Sequence, residues 1–243
     1  MTRSIRAREL LARVVRALRP ERFFPRPRVA LWCGATLVGL VVLIGLFIPS
    51  QPLALDRRWS EAMSDISDET LHHLALVFNY LGRGLGRALT LAAVGLALLL
   101  KKRWRGLLAF AAAEALTPLA VNVLKHILDR PRPPNAMLHA TGSSFPSGHA
   151  AYAGATAVAL VLLYTRPGSH RLIWWSVAAL ATAGMAWSRT YLQLHWLSDV
   201  VSGALLGIGV TLLSFALTQL IPQDASDKPR TGSKLPPTPQ AGN

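Results

Sequence analysis

The feature that most constrains this chain is a series of long apolar runs separated by short charged segments. The first run covers 29–48, where 20 consecutive residues carry no charge. A helix of that length rises about 30 Å, which matches the hydrocarbon core of a bilayer. The run is too long and lies too far from the N-terminus for a signal peptide, and Pro49 ends it. It therefore predicts a membrane-spanning helix.

Five further apolar runs predict five more spans. They cover 84–100, 106–128, 149–165, 172–187 and 196–220. The predicted fold class is therefore all-α: a polytopic membrane protein with six transmembrane helices in a bundle. The mixed-charge residues 53–83 are predicted to form a loop that contains a short amphipathic helix. Gly203 and Gly207 lie four positions apart in the last run, and this small-residue spacing predicts a close contact between two helices.

The distribution of charge predicts the orientation of these spans. The formal net charge is +14, and nine arginines lie within residues 1–28. The basic clusters "KKRWR" (101–105) and "RPGSHR" (166–171) fall on the same side of a six-span bundle as this segment. The positive-inside rule assigns that side, with both termini, to the cytoplasm. Since basic flanks of membrane spans account for the charge, we do not predict a nucleic-acid partner.

Three segments are expected along the chain. Residues 1–28 form a basic cytoplasmic N-terminal segment, and 29–220 form the six-span domain. Residues 221–243 are rich in Pro, Ser, Thr and Gly, which predicts a disordered cytoplasmic tail.

Polar residues gather at one predicted end of the bundle. In the six-span topology the third and fifth spans end, and the fourth and sixth begin, at the extracytoplasmic side. Those boundaries carry Lys125, Arg132, Ser147, Gly148, His149, Arg189, His195 and Asp199. Charged groups at membrane level are costly unless they are paired or functional. Three basic side chains without an equal number of carboxylates predict a site for an anion.

The residue types suit a phosphoryl group. Arg132 and Arg189 can each donate two hydrogen bonds to phosphate oxygens, and Lys125 adds a point charge. Ser147 and Gly148 stand where a helix is predicted to begin, so unpaired backbone N–H groups and the helix dipole favour an anion there.

Two histidines can carry the chemistry. His195 and Asp199 lie four positions apart, which places them on one face if the last helix has begun. The carboxylate can then hold one ring nitrogen while the other acts as a nucleophile. His149 can protonate a leaving oxygen as a general acid.

Two other charged positions are predicted to have structural roles. Glu114 lies three helical turns below Lys125, about 16 Å deeper, which is too far to touch the same phosphate. A buried pairing role is favoured for Glu114 over a gating role, because acids inside a membrane are seldom without a partner or function. Arg130 is expected to pair locally with Asp129.

These residues form three motifs that resemble a known signature. "KHILDRPRP" reads K-x6-R-P from Lys125, "PSGH" ends at His149, and "SRTYLQLHWLSD" reads S-R-x5-H-x3-D from Ser188 to Asp199. In this order and spacing they resemble the type 2 phosphatidic acid phosphatase superfamily, in its small bacterial membrane form. The motifs cover 125–199, and the span layout extends the likeness over about 29–220.

The resemblance implies a mechanism. His195 would attack phosphorus in line and form a phosphohistidine, supported by Asp199, while His149 would protonate the leaving group. The remaining site residues would hold the phosphoryl oxygens and stabilise the transition state. No metal or other cofactor is implied, because basic side chains supply the positive charge and the sequence shows no carboxylate cluster suited to magnesium.

The implied substrate is a phosphorylated lipid in a bacterial cytoplasmic (inner) membrane, with the site on the extracytoplasmic face. Candidates are undecaprenyl diphosphate, phosphatidic acid, phosphatidylglycerol phosphate and lipid A phosphates. A lipid phosphotransferase that uses the same residues is an alternative, and a non-catalytic transporter or scaffold is another. The sequence does not specify an oligomeric state.

Overall fold

The computed structural model describes residues 21–48, 50–166, 168 and 170–222, and this part of the chain contains helices and no strands. The all-α prediction is confirmed over these residues. Most of the predicted N-terminal segment and nearly all of the predicted tail lie outside them. The eight helices are α1 (Pro27–Phe47), α2 (Ala54–Ser64), α3 (Glu69–Leu81), α4 (Gly84–Leu100), α5 (Trp104–Ile127), α6 (Gly148–Tyr164), α7 (His170–Tyr191) and α8 (Leu197–Leu220).

Local sequence explains several helix boundaries. Pro27 is the first residue of α1, a position where the missing N–H costs nothing and the fixed φ suits a helix. Asp68 caps α3, because its carboxylate accepts a hydrogen bond from the Leu71 N–H at 2.8 Å. The Asp199 carboxylate reaches back to the Trp196 N–H at 2.9 Å, which stabilises the first turn of α8.

Helix α8 lies at the centre of the bundle and packs against α1, α5 and α6. Glycine permits the closest of these contacts. A Cβ at Gly203 would meet the carbonyl of Ser147, and a Cβ at Gly207 would meet the carbonyl of Ala151. The predicted close contact of these two glycines is confirmed, and it fixes the start of α6 directly against α8.

The helices α1, α5 and α8 are each long and apolar enough to cross a membrane, judged on length and composition of the described residues. Helices α3 and α4 meet at 55° and pass the same test only as a bent pair, which would make a fourth crossing. The segment 53–83, predicted to be a loop with one short amphipathic helix, contains the two helices α2 and α3. Helix α6 is apolar but has only 17 residues. Helices occur at all six predicted positions, and the six-span topology stays a prediction.

Connecting segments collect at two ends of the bundle. At one end the Met137 N–H donates to the Leu192 carbonyl at 3.0 Å, and Asn79 binds Arg189 at 2.7 Å. At the other end Arg103 binds Glu21 at 2.5 Å and the Leu163 carbonyl at 2.6 Å. The first end holds the three sequence motifs.

Candidate active site

The motif residues lie together where α5 and α7 end and α6 and α8 begin. The Ser147 N–H donates to the Asp199 carbonyl at 3.0 Å, so the "PSGH" segment is tied to the start of α8. The elbow between α3 and α4 closes the other side, where a Cβ at Gly82 would lie 2.7 Å from Cδ2 of His149. The structure therefore brings all eight predicted site residues to one end of the bundle.

Loop carbonyls hold the two basic residues of the first motif. Lys125 donates to the Ser143 carbonyl. Arg132 donates to the carbonyls of Gly142 at 3.1 Å and Leu194 at 2.8 Å, and its Nη1 lies 3.3 Å from Nε2 of His195. Burial lowers the pKa of the Arg132 guanidinium from its ordinary value. These contacts place two positive charges next to the predicted nucleophile.

Arg189 approaches from the end of α7. It is buried, and its Nη1 donates to Oδ1 of Asn79 at 2.7 Å. Asn79 belongs to α3, so this hydrogen bond fixes the guanidinium from a helix that lies outside the three motifs. Sequence reasoning missed Asn79, because nothing in the residues around it distinguishes it from an ordinary surface amide.

Four buried polar atoms of the site have no hydrogen-bond partner within the described residues. They are Ser147 Oγ, His149 Nε2, Arg189 Nε and His195 Nδ1. Leaving such atoms unpaired costs about 1–3 kcal/mol each, and native proteins seldom tolerate it without a reason. The donors among them, together with the nearby cations, suit a ligand rich in acceptor oxygens.

The predicted nucleophile and its orienting carboxylate are both buried. His195 is 5% exposed and Asp199 is fully enclosed. Oδ2 of Asp199 lies 3.6 Å from Nδ1 of His195, which is a close charge contact but longer than a hydrogen bond. Burial lowers the pKa of His195 to about 4, while the Asp199 carboxylate acts in the opposite direction. The imidazole is therefore neutral at pH 7, as a nucleophile requires.

Behind Asp199 lies a network that sequence analysis missed. Arg130 binds Oδ1 of Asp199 at 2.5 Å and Oδ2 of Asp56 at 2.8 Å. The prediction that Arg130 pairs with Asp129 is therefore wrong. The error arose because sequence adjacency suggested Asp129, whereas the fold places the two buried carboxylates from α2 and α8 around the guanidinium. No local sequence signal could have linked Asp56 to a residue 74 positions away.

Glu114 makes the buried pair that was predicted for it. Its Oε2 lies 3.2 Å from Nη2 of Arg87, and its Oε1 accepts from Thr156 at 2.7 Å. The guanidinium of Arg87 also stacks 3.8 Å from the ring centre of Tyr152. Within the part of the chain described, no group of three or more His, Cys, Asp or Glu side chains is placed to hold a metal ion.

Part of the chain matches a known protein family and is similar to known phosphatases. The sequence model of the PAP2 superfamily matches residues 106–222. The chain is 38% identical over 125 residues to lipid A 1-phosphatase of Porphyromonas gingivalis, covering 51% of this chain and 26% of that protein. It is 32% identical over 113 residues to phosphatidylglycerophosphatase B of Bacillus subtilis, covering 44% of this chain and 55% of that protein. The matches thus span about a quarter and about half of these relatives' lengths.

A solved structure is similar over a larger part of the chain. The transmembrane PAP2-type phosphatidylglycerolphosphate phosphatase from Bacillus subtilis superposes with a TM-score of 0.68. The superposition covers 79% of this chain and 99% of that structure, at 24% sequence identity. At 24% identity, this structural similarity shows that the two proteins share a fold. The region that matches the PAP2 superfamily model, residues 106–222, contains all three motifs and all eight predicted site residues.

Proposed function

We propose that this protein is a membrane phosphatase that hydrolyses a phosphorylated lipid. The observation that carries the proposal is the set of four buried, unpartnered polar atoms beside Lys125 and Arg132. A phosphoryl group offers acceptor oxygens for the hydroxyl and guanidinium donors, and an electrophilic phosphorus for a neutral imidazole. The phosphatase names of the two relatives agree with this chemistry.

The first step is an in-line displacement at phosphorus. Nε2 of His195 forms a bond to phosphorus while the bond from phosphorus to the leaving oxygen breaks. His149 gives a proton to that oxygen, so a lipid alcohol leaves uncharged and a lipid monophosphate leaves with one negative charge fewer. The Asp199 carboxylate faces Nδ1 and supports the positive charge that develops on the ring of His195.

The second step returns His195 to its starting state. His149, now deprotonated, takes a proton from water, and the resulting nucleophile attacks the phosphohistidine. Inorganic phosphate leaves, and the imidazole is regenerated. In both steps Lys125, Arg132 and Arg189 stabilise charge on the phosphoryl oxygens, together with the N-terminus of α6.

Two features support a lipid as the substrate. Large apolar side chains are exposed on the outer faces of the helices, such as Trp32 at 72% and Leu180 at 72%, as expected for contact with lipid. A cavity of about 370 Å³ also opens beside the site, between the α3–α4 elbow and α6. Its lining includes Gly82, which abuts His149, and the apolar Leu91 and Leu160.

The proposal includes the membrane topology and the class of lipid. Six spans with cytoplasmic termini would place the site at the outer face of a bacterial inner membrane. A polyprenyl diphosphate or a glycerophospholipid phosphate is favoured, and lipid A phosphates are also candidates, since all present a terminal phosphoryl group at that level. The site residues contact the phosphoryl group and leave the choice of lipid to the apolar surfaces.

The test is phosphate release by purified protein in detergent from a panel of these lipids, with a metal chelator present and the lipid products resolved. We expect release from at least one lipid, and loss of that release in His195→Ala. His126→Ala is the matched control, because His126 is exposed on α5 and should leave the rate unchanged.

Three results would contradict the proposal. Substantial phosphate release by a folded His195→Ala variant would show that His195 is not the nucleophile. Transfer of phosphate to a second lipid without release would instead identify a phosphotransferase. Absence of both reactions with every lipid would favour a non-catalytic role.

A further inference from the structure

The two oxygens of the Asp199 carboxylate have different partners. Oδ2 faces Nδ1 of His195 and accepts from the Trp196 N–H at 2.9 Å. Oδ1 accepts from Nη1 of Arg130 at 2.5 Å. The orientation of the carboxylate, and hence its approach to the imidazole, is therefore set partly from behind by Arg130.

Arg130 is itself held from the opposite side. Its Nη2 donates to Oδ2 of Asp56 at 2.8 Å, and its Nη1 also donates to Oγ of Ser198 at 2.8 Å. Asp56 accepts from the Ser198 N–H at 2.9 Å and from the Ser198 hydroxyl at 2.8 Å. Asp56 and the side chain of Arg130 are almost completely buried. The first turn of α2 thus clamps the guanidinium against the first turn of α8.

We propose that Arg130 and Asp56 are positioning residues, which hold Asp199 in the orientation that His195 needs for attack. This inference rests on the proposed function for its effect on turnover. Neither residue faces the phosphoryl site directly, and each acts through Asp199. The helix α2, which lies in the segment predicted to be a loop with a short amphipathic helix, thereby becomes a structural support of the reaction centre.

A guanidinium is well suited to this position. Its planar fork reaches two carboxylates in fixed directions, whereas a lysine ammonium would reach them without the same geometry. Its positive charge also competes with His195 for the negative charge of Asp199. Arg130 should therefore limit how strongly Asp199 favours the protonated imidazole, while Asp56 offsets part of the charge of Arg130.

The charged groups that face His195 come from several elements, and they set the sign of the expected effects. They are Asp199 from α8, Lys125 from α5, His149 from α6 and Arg132 from the loop before α6. Removing Arg130 leaves the Asp199 charge less compensated, so His195 should bind its proton more tightly. Removing the charge of Asp56 should have the opposite sign, because Arg130 then compensates Asp199 more fully.

The first measurement is the titration of His195 by NMR in protein labelled at histidine, with the signal assigned by its loss in His195→Ala. For Arg130→Gln we expect the midpoint to rise by about one pH unit. For Asp56→Asn we expect a fall. Arg58→Gln is the matched control: it removes the same charge from an exposed position on α2 and should not move the midpoint.

The second measurement is steady-state phosphate release as a function of pH. Losing the partner that orients a metal-binding histidine costs about 10- to 100-fold in metal affinity or activity, and we take the same range for the partners of His195. We expect a fall of that size in kcat for Arg130→Gln with KM nearly unchanged, and a partial recovery in Arg130→Lys. The acid limb of the pH profile should move to higher pH in Arg130→Gln.

Unchanged His195 midpoints in both Arg130→Gln and Asp56→Asn would overturn the inference. So would a loss of rate that only follows the loss of folded protein, with an unmoved pH profile. If Arg130→Gln does not fold, Arg130→Lys and Asp56→Asn replace it. Unchanged His195 midpoints and an unmoved pH profile in both variants would then overturn the inference. If wild type releases no phosphate from any lipid, the proposed function fails, and the NMR titration still decides whether Arg130 and Asp56 control His195.

Discussion

Replacing Gly203 with alanine tests whether the close contact between α6 and α8 positions the phosphate site. A Cβ at position 203 would overlap the carbonyl oxygen of Ser147 and lie 3.1 Å from its carbonyl carbon and 3.2 Å from its nitrogen. All of these are backbone atoms, so no side-chain rotation relieves the overlap. The start of α6 must move away from α8 instead.

The size of the effect follows from that movement. Ordinary carbon contacts lie at about 3.5–4.0 Å, so the Ser147 carbonyl must shift by about 1 Å. The shift strains the hydrogen bond from the Ser147 N–H to the Asp199 carbonyl, which is 3.0 Å long. Overpacking of this kind costs about 1–3 kcal/mol in stability. A misplacement of about 1 Å in a reaction centre can cost about 100-fold in rate.

The assay compares phosphate release and thermal unfolding in detergent for wild type, Gly203→Ala and Gly95→Ala. Gly95 is the matched control, because it lies within α4 and a Cβ there would have nothing within 4 Å. We expect Gly203→Ala to lose about 100-fold in kcat while most of the protein stays folded, and Gly95→Ala to be nearly neutral. Full activity in Gly203→Ala would refute the argument that this backbone contact sets the site.

Two further predictions follow from buried charges. Because burial lowers the pKa of His195 to about 4, its imidazole stays neutral as the pH falls from 7 to about 5, and protonation should reduce kcat/KM only near pH 4 and below. An acid limb near pH 6.5 in the profile of kcat/KM, after correction for ionisation of the substrate, would contradict this. Glu114→Ala leaves Arg87 without its carboxylate partner and should destabilise the fold by about 3 kcal/mol. Thermal unfolding of Glu114→Ala is compared with that of Glu61→Ala, a control at an exposed position. Equal melting temperatures for the two variants would show that the pair of Glu114 with Arg87 contributes little to stability.

The sequence alone predicted the elements that depend on local pattern. The apolar runs predicted helices at six positions, since an uncharged stretch such as 29–48 has few other stable structures, and its observed helix is Pro27–Phe47. The spacing of Gly203 and Gly207 predicted a close helix contact, because only a missing Cβ permits backbones to approach so nearly. The eight candidate site residues also come from sequence, through motifs whose internal spacing is short.

The tertiary structure decided the contacts between distant segments. Asp56 meets Arg130 across 74 positions, and Asn79 meets Arg189 across 110 positions. No helical or motif periodicity connects residues at such separations, so adjacency suggested the wrong partner for Arg130. The bend of 55° between α3 and α4 falls where Gly84 has a positive φ of 55°, and a hydropathy pattern does not contain its angle. Local pattern therefore picked out the candidate site residues. The packing of α2 and α3 against α7 and α8 determined which groups hold them in place, because a buried charge takes its partner from whichever segment the fold brings near.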